Sequence, residues 1–371
     1  MTGPRLTPLI DALPLNVPFT GPETQERHFG RPFKARIGAN ENVFGPSPKA
    51  IRAMQDAVAD CWMYGDTESH DLRRALAAHL GVGMENLIIG AGIDGLLGSL
   101  VRMTVAPGDK VVTPLGGYPT FNYHVTGYGG ELVQVPYQDD HEHPAALLAK
   151  AAEVNAKLVY IANPDNPMAS WHSADVINDM IANLPEGCLM ILDEAYIEFA
   201  PEGTAPQMQV DNPNLIRMRT FSKAYAMAGA RVGYGIGHVD LIGQFSKVRD
   251  HFGMSRTSQI GALAALQDQD YLQQVIEKVS AARQRIGDIA RENGLTPLPS
   301  ATNFVTIDCG RDGDFARAIV EELGQLGVFI RMPFAAPQNR CIRISAGTEQ
   351  HLDALAEALP KALAQAARRL G

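Results

Sequence analysis

Short apolar segments alternate with helical patterns between residues 86 and 236, and this alternation constrains the fold more than any other feature of the chain. The apolar segments cover residues 86–90, 110–114, 132–135, 158–162, 189–193, 215–218 and 231–236. Such alternation predicts a mostly parallel sheet that is covered by helices on both faces. In sheets of this kind, ligands bind at the carboxyl ends of the strands.

The pattern changes after about residue 253, which predicts a second and smaller lobe. A helical region over 258–292 precedes strand patterns at 303–308, 328–331 and 341–344 and a terminal helix. A chain of 371 residues is also long for a single core. We expect an N-terminal arm with part of the small domain at 1–45, a large domain at 46–250 and a small domain at 251–371. Proline and turn residues over 1–32 predict little structure there.

Charge and cysteine usage limit the class of protein. The net charge of −9 argues against nucleic acid and anionic membranes as main partners. No apolar run approaches the ~18 residues of a membrane span, and residues 1–15 lack the pattern of a signal peptide. Cys188 and Cys341 lie in apolar runs, which is typical of core thiols in a reducing compartment. We therefore expect a cytoplasmic protein.

Lys223 is the only charged residue between Arg219 and Arg231, and it lies among small and apolar residues. A lysine in such surroundings tends to be desolvated, which lowers its pKa and makes its amine available as a nucleophile. The hydroxyl of Ser222 and the guanidinium of Arg231 are good phosphate ligands. A reactive amine beside phosphate ligands is what pyridoxal phosphate requires. The alternative is a loop lysine that happens to have an arginine nearby.

A glycine motif follows the first strand of the alternating region. Residues 90–95 fit G-x-G-x-x-G between a strand and a helix, a pattern of dinucleotide sites. Such a site also needs an acidic residue at the end of the next strand, and residues 112–117 contain none. We therefore do not expect NAD. A glycine turn that leads into a helix N-terminus still binds a phosphate, so we expect it to serve the cofactor that Lys223 implies.

Three further segments could supply the other groups that this cofactor needs. Asp193, at the end of an apolar strand, could pair with the pyridinium nitrogen. Tyr196 and Asn166 could bind the phenolic oxygen, and Phe121 could stack on the pyridine face. The alternatives are a polar cap at a strand end, a plain turn and a core aromatic.

Arg343 lies between Ile342 and Ile344 in a late strand, where a charge is costly to bury unless it is paired. Because arginine binds carboxylates through two parallel hydrogen bonds, Arg343 is a candidate ligand of an acidic group on the substrate. Arg331, at the end of the preceding strand, is a second candidate. The alternative is a structural ion pair with Asp or Glu.

Residues 139–143 read Asp-Asp-His-Glu-His, which resembles a metal cluster. A flexible polar turn does not fix a ligand geometry, and no spaced H-E-x-x-H or C-x-x-C supports a metal site. We therefore expect a solvated acidic loop and no bound metal.

In chain order, these segments resemble the fold-type I pyridoxal-phosphate aminotransferases, and within them the histidinol-phosphate aminotransferase branch. The resemblance extends from about residue 36 onward and rests on Asn40-Glu41-Asn42, Phe44 to Pro48, Tyr64, Gly92-Ile93-Asp94, Asn163 to Pro167, Asp193 to Tyr196, Ser222-Lys223-Ala224, Arg231 and Arg343. It implies an α/β fold, with a mostly parallel sheet of the seven-stranded type in the large domain and a smaller α+β domain. It also implies a homodimer with the cofactor, pyridoxal 5′-phosphate, near the subunit interface.

The resemblance implies a role for each site residue. Lys223 would be the Schiff-base lysine, and Asp193 and Tyr196 would assist it in catalysis. The cofactor would be held by Tyr64 of the other subunit and by Gly92, Ile93, Asp94, Phe121, Asn166, Asp193, Tyr196, Ser222, Lys223 and Arg231. The substrate would be bound by Arg343, Arg331 and Asn42.

The implied activity is the movement of an amino group between an amino acid or amine and a 2-oxo acid, with Lys223 as general base and acid. A decarboxylase of a phosphorylated amino acid and a non-catalytic protein of this fold are the alternatives. The chain departs from the family pattern at Phe19, at Ile93 and Gly95, at 168–171 and at 249–256. Because Trp171 and Phe252 would add apolar bulk near the pocket, we expect that histidinol phosphate is not the best substrate.

Overall fold

The structure is a computed structural model that describes residues 3–15 and 20–370. The N-terminal segment contains helices α1 (Pro8–Ala12) and α2 (Pro22–Phe29) and strand β1 (Ala35–Arg36). The expectation of little structure in this segment was therefore wrong for α1 and α2. A proline at the start of each helix supplies the backbone angle of a first turn. The proline content that predicted turns thus marks helix starts.

The large domain is built around one seven-stranded sheet. Its strands are β2 (Leu87–Gly90), β3 (Lys110–Pro114), β4 (Glu131–Val135), β5 (Leu158–Ala162), β6 (Leu189–Asp193), β7 (Leu215–Thr220) and β8 (Gly233–Gly237). Their order in space is β2-β8-β7-β6-β5-β3-β4. Strands β4, β3, β5, β6 and β7 are parallel, whereas β8 is antiparallel to both β7 and β2. The prediction of a mostly parallel sheet is confirmed.

The helices that follow in this part of the chain are α3 (Pro48–Ala57), α4 (His70–Leu80), α5 (Gly92–Thr104), α6 (Pro119–Gly127), α7 (Pro144–Glu153), α8 (Ala174–Ala182), α9 (Val239–Gln244) and α10 (Arg256–Leu266). Alternate residues of β5 belong to different apolar cores on the two faces of the sheet. Tyr160 packs in the core of α5 and α6, and Val159 in that of α7 and α8. Both faces of the sheet are therefore covered, as the continuous apolar strands predicted.

The C-terminal part of the chain forms the smaller domain. It contains α11 (Gln269–Glu292), β9 (Thr296–Pro297), β10 (Phe304–Asp308), α12 (Gly313–Gln325), β11 (Val328–Phe329), β12 (Cys341–Ser345) and α13 (Glu349–Leu370). Strand β10 pairs antiparallel with β9 and β12, and β11 pairs in parallel with β1. The β1–β11 pair joins the N-terminal segment to this domain.

The helical region predicted over 258–292 is two helices, α10 and α11, with a break at 267–268. The carboxylate of Asp268 accepts hydrogen bonds from Ser47 and Lys49 at the start of α3. Helix α10 packs on α3 and α4. The break therefore coincides with the contact of Asp268 with the start of α3. The domain limits at 1–45, 46–250 and 251–371 stay a prediction.

Within residues 3–15 and 20–370, none of the helices combines the length and apolar character that a membrane crossing requires.

Candidate active site

A cavity of about 650 Å³ lies at the carboxyl ends of β5, β6 and β7, where the strand pattern predicted a ligand. Asn166 follows β5, Asp193 ends β6 and Lys223 follows β7, so three parallel strands deliver these side chains to one edge. Of the residues predicted from the sequence, the cavity is lined by Ile93, Asp94, Asn166, Asp193, Tyr196, Ser222, Lys223, Arg231, Arg331 and Arg343.

Lys223 faces this cavity and is enclosed on its other sides. Its Nζ atom donates a hydrogen bond of 3.1 Å to the backbone carbonyl of Asn40 and lies 5.5 Å from the centre of the Tyr196 ring. Burial lowers the pKa of Lys223 to about 8, and the positive charge of Arg343 acts in the same direction. About a tenth of this amine is therefore neutral at pH 7, and the neutral amine is the form that attacks a carbonyl carbon.

Asp193 is buried at the floor of the cavity. Its Oδ2 atom accepts a hydrogen bond of 2.7 Å from the hydroxyl of Tyr160, and its Oδ1 atom accepts one of 2.9 Å from the backbone N–H of Ala195. Burial raises the pKa of Asp193 to about 6. The carboxylate is thus fixed in orientation, and it lacks a cationic hydrogen-bond partner among the described residues.

Tyr196 and Asn166 approach the cavity from neighbouring strand ends. The hydroxyl of Tyr196 accepts a hydrogen bond of 3.1 Å from the Asn40 amide, and burial raises the pKa of this tyrosine. Asn163, at the start of the Asn166 loop, bonds through its side chain to the backbone of His172. The hydroxyl of Tyr196 is therefore held by Asn40, and the loop that carries Asn166 is held by Asn163.

Helix α5 begins at the cavity wall without a side-chain cap on its first turn. Gly92 has φ of +76°, and a Cβ atom at this position would lie 2.4 Å from a guanidinium nitrogen of Arg231. The hydroxyl of Ser222 lies 3.4 Å from Nη1 of Arg231. Uncapped helix N–H groups, a hydroxyl and a guanidinium form a donor set that fits a phosphate. Gly92 does not line the cavity, but its missing side chain leaves room for Arg231.

Arg343 and Arg331 reach the cavity from the smaller domain and pair through their backbones. Arg343 donates to the Asn166 side-chain oxygen and to the carbonyl of Gly38, and its guanidinium carbon lies 5.2 Å from the centre of the Phe304 ring. The described residues give Arg343 no salt bridge, and its buried Nε atom has no hydrogen-bond partner among them. Burial lowers the pKa of Arg343 to about 10. The guanidinium of Arg343 is therefore available to bind an anionic group of a ligand in the cavity.

Arg331 carries the second guanidinium at this wall. Its Nη2 atom donates a hydrogen bond of 3.1 Å to the carbonyl of Thr20, and its guanidinium carbon lies 5.6 Å from the centre of the Phe329 ring. Burial lowers the pKa of Arg331. Two cations therefore line the same side of the cavity.

The stacking role predicted for Phe121 is wrong. Phe121 lies inside helix α6 with no exposed surface, and its ring stacks on Tyr160 in the core at a centroid distance of 4.9 Å. Tyr118, at the N-terminal boundary of α6, is the aromatic residue of that segment that lines the cavity. Its place directly after the turn at Gly116 and Gly117 was the available signal, because residues at a helix start face the carboxyl edge of the sheet.

The substrate-binding role predicted for Asn42 is also wrong. Its amide donates to the backbone carbonyls of Lys223 and Ala224, and Asn42 does not line the cavity. Asn40 lines it instead, with φ of +55° and bonds to Tyr196 and Lys223. The motif was thus singled out correctly, but its residue at the site is Asn40, whereas Asn42 holds the Lys223 backbone.

Tyr64 does not line the cavity of its own chain. Its side chain is 74% exposed and packs on the exposed ring of Phe252 at a centroid distance of 4.5 Å. Its predicted contact with a cofactor in another subunit stays a prediction.

Of the departures that argued against histidinol phosphate, Ile93 lines this cavity, whereas residues 168–171 and 249–256 do not. Met168, Ala169 and Ser170 are buried, and neither they nor Trp171 line it. Phe252 does not line it either, and Phe19 lies outside the described residues. The prediction that Trp171 and Phe252 add apolar bulk at the pocket is therefore wrong for this chain's own cavity. The apolar and aromatic side chains that line this cavity include Met332, Phe334 and Tyr123.

The acidic loop at 139–143 is only partly solvated. Glu142 is buried and accepts a hydrogen bond of 2.9 Å from the backbone N–H of Ala162 at the end of β5, while His143 caps α7. Burial raises the pKa of both Glu142 and its neighbour Asp165, and Tyr137 donates to both carboxyl groups. Among the described residues, no group of three or more His, Cys, Asp or Glu is arranged for a metal ion. Through Glu142, the loop binds the end of β5, directly before the segment that carries Asn166.

Comparison with known proteins agrees with this geometry. The family model for aminotransferases of class I and II matches residues 34–359. The chain is 31% identical to the histidinol-phosphate aminotransferase of Moorella thermoacetica, over 98% of this chain and 94% of that protein. It is 33% identical to the enzyme of the same name from Bacillus velezensis, over 91% and 95%.

A solved structure gives a similar match over nearly the whole chain. The crystal structure of histidinol-phosphate aminotransferase from Sinorhizobium meliloti in complex with pyridoxal-5′-phosphate is 54% identical and superimposes with a TM-score of 0.95. The match covers 99% of this chain and 98% of that one.

Proposed function

The chain belongs to the class I and II aminotransferases, and from this premise we propose that it transfers the amino group of histidinol phosphate to a 2-oxo acid. The family assignment makes the chain a pyridoxal-phosphate-dependent aminotransferase with the fold-type I architecture. It also removes the reason to retain a decarboxylase or a non-catalytic protein as alternatives. The donor substrate and the roles of individual residues are the proposed part.

The cavity has the groups that pyridoxal phosphate requires, and when bound the cofactor supplies a carbonyl for the amino group and a ring that delocalises an electron pair. Asp193 would hold the ring nitrogen protonated, and Tyr196 and Asn166 would bind the phenolic oxygen. Tyr118 would cover one face of the ring, in place of the predicted Phe121. The N-terminus of α5, Ser222 and Arg231 would bind the phosphate.

Lys223 would first attach the cofactor through its amine and then act as the general base and acid. Its Nζ atom would take the proton from the Cα atom of the substrate and later return a proton, which requires a pKa near the working pH. The lowered pKa of Lys223, about 8, suits both steps. Asn40 and Asn42 hold the amine and the backbone of this lysine, so they position it without reacting.

Arg343 and Arg331 support an anionic group on the substrate, and this is the observation that carries the proposal of an anionic substrate. The guanidinium of the half-buried Arg343 has no carboxylate partner among the described residues. A phosphate ester would satisfy it through charge-assisted hydrogen bonds, as would the carboxylate of the acceptor in the second half of the reaction. The relatives named for histidinol phosphate favour the phosphate ester as donor.

An aromatic amino acid is the second candidate donor. Met332, Phe334 and Tyr123 give the cavity apolar and aromatic walls, and these would suit an aromatic side chain whose carboxylate binds Arg343. A panel of amines should decide between the two. In single-turnover mixing, the yellow absorbance of the bound cofactor should bleach fastest with histidinol phosphate.

A higher kcat/KM for phenylalanine or tyrosine than for histidinol phosphate would reject the proposed donor while leaving the aminotransferase assignment intact. The catalytic roles have a separate test. Asp193→Ala should keep the fold and lower turnover on the order of a hundredfold or more, because a preorganised electrostatic partner is lost. Turnover within a few-fold of the wild type would reject the role of Asp193.

We also propose a homodimer in which Tyr64 reaches the phosphate of the other subunit's cofactor. The support is the exposed pair Tyr64 and Phe252, together with the exposed side chains of Trp62 and Val58 nearby in the chain. Mixing Tyr64→Phe subunits with Lys223→Ala subunits should form hybrids that contain one native site. A fully active species that sediments as a monomer would contradict this. The free thiols at all four cysteines fit a cytoplasmic location.

A further inference from the structure

We propose that Tyr160 is a positioning residue of the amino-transfer reaction, which keeps the Asp193 carboxylate ionised and oriented toward the ring nitrogen of the cofactor. The inference rests on the proposed pairing of Asp193 with that nitrogen. It assigns a function to a residue in the middle of β5 that the sequence alone does not distinguish from an ordinary core aromatic.

The geometry fixes Tyr160 against Asp193. Strands β5 and β6 are parallel neighbours in which Tyr160 is opposite Ile191 and Ala162 is opposite Asp193. The tyrosine therefore reaches along the sheet toward the strand end, and its hydroxyl donates a hydrogen bond of 2.7 Å to Oδ2 of Asp193. The Phe121 ring stacks on it at 4.9 Å with an interplanar angle of 19°, which holds the phenol in place.

Tyr160 lies between the apolar core and the cavity, which it lines together with Asp193. Tyr160 is 1% exposed, and its apolar neighbours on the same face, such as Leu158 and Phe121, need only an aromatic ring. Asp193 is its only hydrogen-bond partner among the described residues. Burying a hydroxyl costs free energy unless it is hydrogen-bonded. Because packing needs only the ring, the presence of the hydroxyl indicates that Asp193 needs this hydrogen bond.

The requirement follows from the surroundings of the carboxylate. Burial raises the pKa of Asp193, and the negative charge of Glu194 next to it acts in the same direction. The hydrogen bonds from Tyr160 and from the Ala195 N–H, and the positive charge of Lys223, oppose this. Tyr118, Tyr196 and Glu142 also face the group.

Protonation of Asp193 would abolish the arrangement. The ionised carboxyl group donates no hydrogen bond and offers about four acceptor positions, so each oxygen can accept a second bond besides those from Tyr160 and Ala195. A protonated Asp193 would keep its own proton and leave the ring nitrogen without a counter-charge. Tyr160 is the one side chain that donates a hydrogen bond to the ionised form among the described residues.

Tyr160→Phe tests the inference because it keeps the ring and removes only the hydroxyl. The holoenzyme is reconstituted with pyridoxal phosphate that carries ¹⁵N in the ring, and the ¹⁵N chemical shift reports whether this nitrogen is protonated. We expect a protonated nitrogen in the wild type and a smaller protonated fraction in Tyr160→Phe at the same pH. Turnover should fall roughly tenfold or more, as for a lost hydrogen bond to a charged group, with little change in KM.

Tyr271→Phe is the matched control. It removes a partly buried hydroxyl that donates to the Phe44 and Gly45 carbonyls and does not contact Asp193. Its ¹⁵N shift and turnover should equal those of the wild type. Thermal melts of both variants should show that each is folded.

Reconstitution with N-methyl pyridoxal phosphate, whose ring nitrogen carries a fixed positive charge, gives a second readout. The difference in turnover between Tyr160→Phe and the wild type should narrow with this cofactor. An unchanged ¹⁵N shift in Tyr160→Phe, or a difference that persists with the methylated cofactor, would overturn the role of Tyr160. An unprotonated nitrogen in the wild type would instead overturn the proposed pairing of Asp193.

Discussion

Two sets of arginines in this molecule differ in whether a carboxylate of the chain binds them. Arg217 and Arg219 point from β7 to the carboxylate of Glu194, and Arg217 also donates to the carbonyls of Pro206 and Gln207. Burial acts to raise the pKa of Glu194, but the two arginines outweigh it and hold that pKa below its usual range. In this group every charge has an opposite charge inside the chain.

Arg343 lacks such a partner. It bonds to an amide oxygen and a backbone carbonyl, and burial lowers its pKa to about 10. The comparison teaches that burial of a charge does not by itself indicate structure or function. A cation that is paired with a carboxylate of the chain contributes to the fold, whereas a cation at a cavity that has no carboxylate partner is available to a ligand. The two groups therefore differ in what their removal should change.

The largest expected effect is the loss of turnover when Lys223, which lines the cavity, is removed. Lys223→Ala should lower turnover by about 10²–10⁴-fold, the range of general acid–base catalysis, without loss of thermal stability, because a buried amine is removed. Borohydride reduction and peptide mapping of the wild type should place the cofactor on Lys223. The exposed Lys361 serves as the control, and a label there or on any other lysine would reject the assignment.

Arg217→Ala tests the arginines that are paired with Glu194. Removing one partner of a buried ion pair leaves Glu194 undercompensated, and the free energy of unfolding should fall by about 3 kcal/mol. Denaturant unfolding of the holoenzyme measures this, and the remaining folded fraction should keep a near-native KM. A large loss of turnover in fully folded protein would show that the Glu194 group is part of the site after all.

Arg343→Ala should show the opposite pattern. The kcat/KM for acidic substrates should fall by roughly 30-fold or more, as for the loss of a desolvated charge pair, while the free energy of unfolding changes little. Arg311→Ala is a control, because that guanidinium also lies over an aromatic ring, that of Phe315, but outside the cavity. A loss of stability like that of Arg217→Ala would mean that Arg343 is a structural cation.

The smallest effect is a pH dependence. With the pKa of Lys223 lowered to about 8, the neutral amine should rise from about a tenth at pH 7 to about nine tenths at pH 9. The rate at which the cofactor-free protein captures pyridoxal phosphate should rise in proportion. Since Arg343 contributes to the lowered pKa, Arg343→Ala should move this rise to higher pH, and a rate independent of pH would contradict the role of the neutral amine.

The parts of the site that lie at strand ends could be predicted from the sequence. Lys223, Asp193 and Asn166 each follow an apolar segment of the parallel sheet, so position along the chain was enough to bring them together. Arg343 could be predicted because a charge between two isoleucines requires a partner. The choice between a protein carboxylate and a ligand needed the structure.

Other residues could not be chosen without knowing the phase of a helix or the direction of a side chain. Phe121 and Tyr118 belong to one short segment, and the choice between them depends on where α6 starts, for which the turn at Gly116 and Gly117 was the signal. Tyr160 lies in a strand that is buried on both faces, where an aromatic residue with a catalytic neighbour looks like any other. The helices α1 and α2 were missed because proline marks both turns and helix starts.

The cavity takes its parts from distant points of the chain, and this affects when it can form during synthesis. Asn40 bonds through its backbone N–H to the hydroxyl of Ser345, which is 305 residues later, and Arg343 is in the same strand. Translation releases the large domain long before β12 exists. A nascent chain would therefore carry Lys223 and Asp193 in an unfinished cavity, and capture of the cofactor in its complete setting must wait for the last strand to leave the ribosome.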